Sequence, residues 1–295
     1  MMESRRILLL GTPRIEHNRS LVQIERRKAT ALLAYLVITR QPHSRETLSA
    51  LFWGDYDHSR AYAYLRNTLW TLNKALGEDW ALIEGETVAF NPEAGIEDDV
   101  SQFVALLASA KEVDLQSNND LACAACDGLT RAVALVRGDF MAGFTLKDAP
   151  EFEEWRFLQA EAFKQQLTTA LERLCALHTG LGEYEQAITV ARRWLALDTL
   201  REEPHQQLMR LYAWSGNHAA ALRQYKEVTR ILELELHIQP DAETTALYEM
   251  IQSRRLPIPF QEISLMAQQA DTPTQMAFVP PTSLPHVKLP AQMTP

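Results

Sequence analysis

Little in this chain of 295 residues belongs to catalytic chemistry. Three cysteines, Cys123, Cys126 and Cys175, are too few for a disulfide framework. An odd count with no secretory leader points to a reducing cytosol. The opening apolar run, Ile7-Leu8-Leu9-Leu10, is too short for a signal sequence, and no stretch approaches the ~20 apolar residues of a membrane span. There is no GxxxxGKS/T phosphate loop and no HExxH pair, and the eight histidines are scattered. Gly138 and Gly143 flank Asp139-Phe140-Met141-Ala142 without resembling a phosphate cradle. No nucleophile–base arrangement has a local signature, and no two carboxylates pair into an acid/base site. Cys123-Ala-Ala-Cys126 falls on an expected helix. Zinc would need four ligands, and a thioredoxin-type motif would follow a strand, so two ordinary helix cysteines are expected. The expectation is a non-enzyme without cofactor or metal.

What is present is a repeat. Gly182-Glu183-Tyr184-Glu185-Gln186-Ala187-Ile188 aligns with Gly216-Asn217-His218-Ala219-Ala220-Ala221-Leu222 at a spacing of 34 residues, and Leu174 and Leu177 align with Leu208 and Leu211. That period is the tetratricopeptide repeat, a pair of antiparallel helices. The small residue at 187 and 221 allows close helix approach, and the glycine at 182 and 216 suits a turn with positive φ. Such pairs stack on neighbours and present a groove.

Charge is unevenly spread. Residues 1–77 hold twelve Lys/Arg against six Asp/Glu, residues 78–97 hold six acids and no base, and the whole chain carries −9. A basic first segment on an acidic body suggests nucleic acid for the first segment alone.

Short strands are expected at 5–10 and 21–24, separated by Gly11, Pro13 and a polar run. Helices follow over Lys28–Thr39, Arg45–Trp53 (capped by Ser44) and about Ser59–Leu76. Residues 81–83 and 87–90 alternate around Glu84-Gly85-Glu86, a β-hairpin pattern. Strands, three helices and a closing hairpin make the order of a winged helix-turn-helix. From Asp98 the pattern is helical: Val100–Leu115, Ala122–Val136, Phe152–Thr179, Tyr184–Leu197, His205–Ser215, His218–Leu236 and Ala242–Arg254. Eight of fourteen prolines lie in 256–295, which reads as a linker. The fold class is therefore mainly α with a small β component, divided 1–97, 98–255 and 256–295.

The third helix is the candidate DNA reader. With Leu65, Leu69, Leu72 and Leu76 inward, Arg60, Ala63, Asn67 and Lys74 centre on the opposite face, flanked by Tyr64, Trp70 and Thr71. Arg, Asn and Thr read base edges, and Lys and Arg neutralise phosphate. Arg60, Tyr64, Arg66, Asn67, Thr71 and Lys74 are the candidate DNA contacts. Arg26-Arg27-Lys28 and Arg45 could add phosphate contacts at helix starts. An ordinary solvated helix face is the plain alternative. Trp155, Trp194 and Trp214 are expected to fill inter-helix core rather than anchor a partner.

Leu48-x-x-Leu51-Phe52-Trp53 followed by Tyr64-Leu65-Arg66-Asn67-x-Leu69-x-x-Leu72-Asn73-Lys74-Ala75-Leu76-Gly77 resembles the OmpR-type winged helix of SARP-like bacterial activators. Val136-Arg137-Gly138-Asp139-Phe140-Met141 is similar to the "YRGDF" stretch of the bacterial transcriptional activator domain, which follows that winged helix directly. The resemblance covers roughly 5–255. It implies binding of double-stranded promoter DNA, recruitment of RNA polymerase, and a helical domain serving dimerisation or regulation. It makes the third helix the recognition helix and the 81–90 hairpin the wing. Thr71 and Asn73 stand where members of the family often carry arginines, which removes phosphate contacts. Leu289–Pro295 is similar to the linker before the ATPase module of large SARP-like regulators, so the chain is expected to be a fragment, or a short form, of a larger signal-transducing ATPase. A second reading stays open: a protein-interaction scaffold in which the winged helix no longer binds DNA.

Overall fold

Alternation of apolar and polar residues over short runs makes the β-elements, and 3.6-residue periodicity makes the rest. The computed structural model describes residues 4–111 and 119–257. Strands β1 (Arg5–Leu8), β2 (Arg14–His17) and β3 (Ser20–Leu21) precede helix α1 (Arg27–Thr39). Strand β4 (His43–Ser44), α2 (Arg45–Trp53), α3 (His58–Leu76), β5 (Ala81–Glu84), β6 (Thr87–Phe90) and β7 (Ile96–Asp98) complete the first part. Seven helices follow: α4 (Asp99–Lys111), α5 (Asn119–Leu135), α6 (Pro150–Gly180), α7 (Tyr184–Leu195), α8 (Glu202–Trp214), α9 (His218–Leu236) and α10 (Ala242–Gln252). The far end of the helix expected to reach Leu115, and the proline-rich tail with Leu289–Pro295, lie outside the described residues.

One sheet has the order β3-β2-β1-β7, antiparallel except for the parallel pair β1–β7, with Ile7 opposite both Ile15 and Asp98. The other has the order β4-β6-β5, with Glu84 opposite Thr87 across the hairpin. The stretch read as a polar break contains a strand, β2. Its turn uses Asn18 and Arg19, both at positive φ (51° and 65°). A two-residue turn of that hand matches strand twist, and without a glycine it leaves no conventional sequence signal. Likewise β4 and β7 were not expected, because strands of two and three residues are too short for periodicity.

Helix α1 is apolar nearly all round, and Ala29, Leu32, Leu33, Leu36 and Val37 are all buried. A helix without a polar face needs cover on every side. One core runs from Ile7 and Ile15 through α1, α2 and α3 to Phe140, Phe152 and Phe163, and the described residues up to Leu256 form one compact unit. Trp155 packs against the rings of Tyr35, Phe140 and Phe152, and Trp194 is buried, so both fill core as expected. Trp214 packs on Tyr184 in the next cluster.

The repeat is reproduced to the hydrogen bond. Gly182 and Gly216 take φ of 75° and 82°. The following amides close on equivalent carbonyls, Glu183 on His178 (2.8 Å) and Asn217 on Tyr212 (2.7 Å). Ala187 and Ala221 are fully buried where the paired helices meet.

Two adjacent carboxylates join the strands to the helices. Asp99, 1% exposed, accepts from the backbone N–H of Leu9 (2.8 Å) and Leu10 (2.9 Å) and from the Arg137 guanidinium (3.2 Å). Burial pushes its carboxyl up, against the pull of those donors. Asp98 pairs with Arg40 (2.5 Å) at the end of α1 and caps Ser101 N–H (2.7 Å). The segment containing Arg137-Gly138-Asp139-Phe140 lies along the end of β1: Arg137 N–H donates to Leu10 O and Met141 N–H to Leu9 O. Gly11 faces it so closely that a Cβ there would meet the Arg137 Cβ at 3.1 Å. The motif similar to "YRGDF" is thus a structural seam.

Candidate nucleic-acid interface

Helices α2 and α3 form the helix-turn-helix. Ser44 caps α2 by accepting from Thr47 N–H (3.0 Å), and Asp57 caps α3 by accepting from Arg60 N–H (3.1 Å). At the other end of α3, Arg5 donates to the Leu76 carbonyl (2.5 Å) and holds Asp79 with two bonds (2.6 and 2.7 Å); it also donates to the Ala94 carbonyl. A cation at the C-terminus complements the helix dipole. The same contact holds the Asp79 carboxyl below its usual range. Both ends of α3 are therefore fixed to the scaffold.

Its buried face is Ala61, Leu65, Thr68, Leu69, Leu72 and Leu76. Arg60, Tyr64, Arg66, Asn67 and Lys74 are exposed and Thr71 half-exposed on the remaining surface. At 100° per residue, Arg60, Asn67 and Lys74 lie about 20° apart in succession and so within about 40° of one another. Arg60 is held loosely by Asp57 (3.3 Å), with both side chains open to water. Lys74 sits over the Trp70 ring at 5.9 Å. Trp70 is 65% exposed, the most open large apolar side chain among the described residues. The Thr71 hydroxyl is turned onto its own helix, donating to the Asn67 carbonyl (2.9 Å).

Asn73 is engaged away from this face. Its Oδ1 accepts from the indole N–H of the fully buried Trp80 (2.7 Å). One of the two departures from the family's arginines therefore supports the core.

Tyr64 packs on Trp53 and Tyr56. With Arg26, Arg27 and Lys28 it borders a shallow depression of about 310 Å³. That run is largely spent on packing. Lys28 pairs with Asp148 (2.7 Å) and donates to the Phe52 carbonyl (2.5 Å). Arg27 donates to the Thr145 carbonyl (3.1 Å) and covers Phe144. Arg26 alone of the three is exposed without such a contact. Arg45 is half-exposed at the start of α2, with its N–H on the Glu86 carbonyl (2.8 Å).

The charge asymmetry folds back on itself in the same way. Arg5 and Arg6 pair with Asp79 and Glu97 from the acidic stretch that follows, and Arg40 with Asp98 just beyond it. The β5–β6 hairpin carries Glu84 and Glu86 at its tip and no cation. An acidic tip is repelled by phosphate.

No metal cluster of three or more His, Cys, Asp or Glu occurs among the described residues. None of the described helices is long and apolar enough to cross a membrane. The cysteines are unbridged, Cys123 exposed and Cys126 and Cys175 buried; burial pushes both buried thiols up to about 11, which leaves them unreactive.

Residues 99–252, just over half of the chain, match the model of the bacterial transcriptional activator domain. A regulatory protein AfsR of Streptomyces griseus is 27% identical over 252 residues, covering 83% of this chain and 24% of its own length. The AfsR of Streptomyces coelicolor is 29% identical over 216 residues, covering 71% and 20%. The chain thus spans about a quarter of the length of these curated relatives. In fold it is similar to EmbR of Mycobacterium tuberculosis, solved in complex with a low-affinity phosphopeptide. The TM-score is 0.66 at 21% identity, over 91% of this chain and 70% of that one.

Proposed function

Because the chain belongs to the bacterial transcriptional activator domain family, a family of regulators and not of enzymes, we propose that it is a transcriptional regulator, acting as an activator, that binds promoter DNA through α3. In this reading residues 1–97 are the DNA-binding module. Residues 98–255 are the regulatory module, used for dimerisation or for contact with RNA polymerase or another protein.

The observation that carries the reading is α3 itself. Its two ends are capped and clamped, its leucine face is buried, and Arg60, Arg66, Asn67 and Lys74 project from the other face. A rigid helix with an exposed Arg/Asn/Lys face is the element that enters a major groove. The acidic hairpin tip argues that α3, with Arg26 beside Tyr64, carries most of the phosphate contact.

The test is binding of the full chain to a randomised duplex library at two salt concentrations. Sequence-selective binding that weakens with salt supports the regulator. Arg60→Ala/Lys74→Ala should lower affinity and flatten the salt dependence by about two counterions. An unchanged slope would reject this face.

A second reading is favoured by specific observations. The acidic hairpin tip, the Thr71 hydroxyl bonded to its own helix and Asn73 committed to Trp80 all weaken a DNA surface. They suit a protein-interaction scaffold that works through the repeat groove. EmbR, of similar fold, was solved with a phosphopeptide. This reading predicts no salt-dependent DNA binding and a rise in stability with the partner.

A further inference from the structure

A small cavity of about 210 Å³ opens where the end of β1, the 136–140 segment, α6 and α7 meet. Its apolar wall includes Leu10, Phe140, Phe163 and Leu167, and its polar lining includes Arg137, Lys164 and Arg193. Three cationic residues line one partly enclosed space, and cations gathered there need counter-charge.

The protein supplies it for one of them. Arg137 pairs with Asp99 through a single nitrogen. Arg193 has no carboxylate partner among the described residues. It spends one guanidinium nitrogen on the carbonyls of Val133 (2.9 Å) and Val136 (2.6 Å), which caps the end of α5, and its remaining N–H groups make no bond to the other described residues. Burial destabilises its charged form. Lys164, half-buried on α6, likewise has no ion pair and no hydrogen bond among the described residues. Asp139 borders the cavity but is exposed and pairs with neither.

We propose that this cavity binds a compact, doubly charged oxyanion, a phosphate or the phosphate head of a small phosphomonoester, held between Lys164, Arg193 and the free nitrogens of Arg137. Two uncompensated cations match two negative charges, whereas a carboxylate would balance only one. Guanidinium N–H groups suit the oxygens of such an anion. The volume, below the roughly 300–1,000 Å³ of drug-sized sites, admits a small head group and excludes a dinucleotide. Because the lining joins β1 to α6 and α7, an occupant would tighten the seam between the strand-bearing part and the repeat. The site is assembled from side chains on separate elements, not from a glycine loop, so it has no linear motif.

The test uses the full chain and does not depend on DNA binding. Thermal unfolding is followed with inorganic phosphate, glycerol 3-phosphate, acetate, and chloride at matched ionic strength. A saturable rise in Tm of several degrees with phosphate or glycerol 3-phosphate, absent with acetate and chloride, is expected. The tighter of the two active probes tells free phosphate from a monoester. Lys164→Ala, at a half-exposed position that bears no structural bond, should keep the ligand-free Tm and lose at least tenfold in phosphate affinity, and Lys164→Arg should restore it. A rise equal to that in chloride, or one undiminished in Lys164→Ala, would overturn the proposal. If Lys164→Ala lowers the ligand-free Tm, calorimetric titration of phosphate into the folded Lys164→Gln variant decides on the same criterion.

Discussion

At the scale of single residues, the two positions where arginines were expected behave differently. Asn73 holds the buried Trp80 indole, whereas Thr71 lies at the surface with its hydroxyl on the helix backbone. Asn73→Arg should therefore cost about 1–3 kcal/mol by orphaning the Trp80 N–H. Thr71→Arg should leave stability within about 0.5 kcal/mol and steepen the salt dependence of DNA binding by about one counterion. Urea unfolding and binding at several salt concentrations measure both. Equal stability loss in the two variants would contradict the assigned roles. No sequence pattern distinguishes these neighbours, because the difference lies in the reach of Asn73 to a residue in the following loop. The exposed leucine-opposite face was legible, since helical periodicity fixes which side is buried.

A buried histidine makes a second residue-scale prediction. His205 is fully buried, with Nε2 against the Thr199 carbonyl (3.0 Å) and Nδ1 against the Gln224 amide nitrogen (2.6 Å). A carbonyl only accepts, so Nε2 carries the proton and Nδ1 accepts. Burial lowers the imidazole pKa, opposed by the Thr199 bond and by Glu227 and Glu202 nearby. The unfolded chain then binds more protons than the folded one below the ordinary value of ~6.5. Stability from this group is complete above that value and is lost as pH falls through ~6.5 toward the lowered folded pKa. The slope is at most about 1.4 kcal/mol per pH unit. Urea midpoints from pH 7.5 to 5 should decline more steeply in the native chain than in His205→Gln. Parallel curves would show that His205 is not the group.

Among the elements, the repeat was the most legible part, and the reason is chemical. Gly182 and Gly216 are required by positive φ, not by crowding: nothing lies within 4 Å of a Cβ built at either. Alanine at each should cost about 1–2 kcal/mol from backbone strain alone. The double variant should cost nearly the sum, since the turns are 34 residues apart. Denaturant midpoints of the two singles and the double measure this, and a negligible effect at both turns would remove strain as the reason for the glycines. By contrast β2, β4 and β7 were illegible. They are two to four residues long and owe their existence to partners: β7 to β1, β4 to β6. Local pattern cannot report pairing over such distances.

For the whole molecule, charge that suggested a ligand in the sequence proves to be partly internal wiring. Arg5, Arg40 and Arg137 tie to Asp79, Asp98 and Asp99, and the Arg40–Asp98 pair reaches from the end of α1 to the residue that leads into the helical part. The sequence supplied the basic and acidic blocks but not their mutual pairing, since ion pairs between residues 38 to 74 positions apart leave no periodic trace. The consequence is cooperative. Asp99 carries three hydrogen-bonding groups from two regions, so Asp99→Ala orphans the Leu9 and Leu10 amides and leaves Arg137 without its counter-charge. The expected cost is about 3–5 kcal/mol, as for breaking other buried pairs. Because α1 packs against both regions, with most of its residues buried, the loss should spread to the DNA-reading helix rather than stay at the seam. Trp70 on α3 and Trp194 on α7 sit on opposite sides of that seam, so single-tryptophan variants can follow each region separately. In the native chain both should report one transition. In Asp99→Ala the α3 probe should unfold at lower denaturant than the α7 probe. Coincident transitions with an unchanged midpoint would mean that the apolar core, and not the buried carboxylate, couples the two regions.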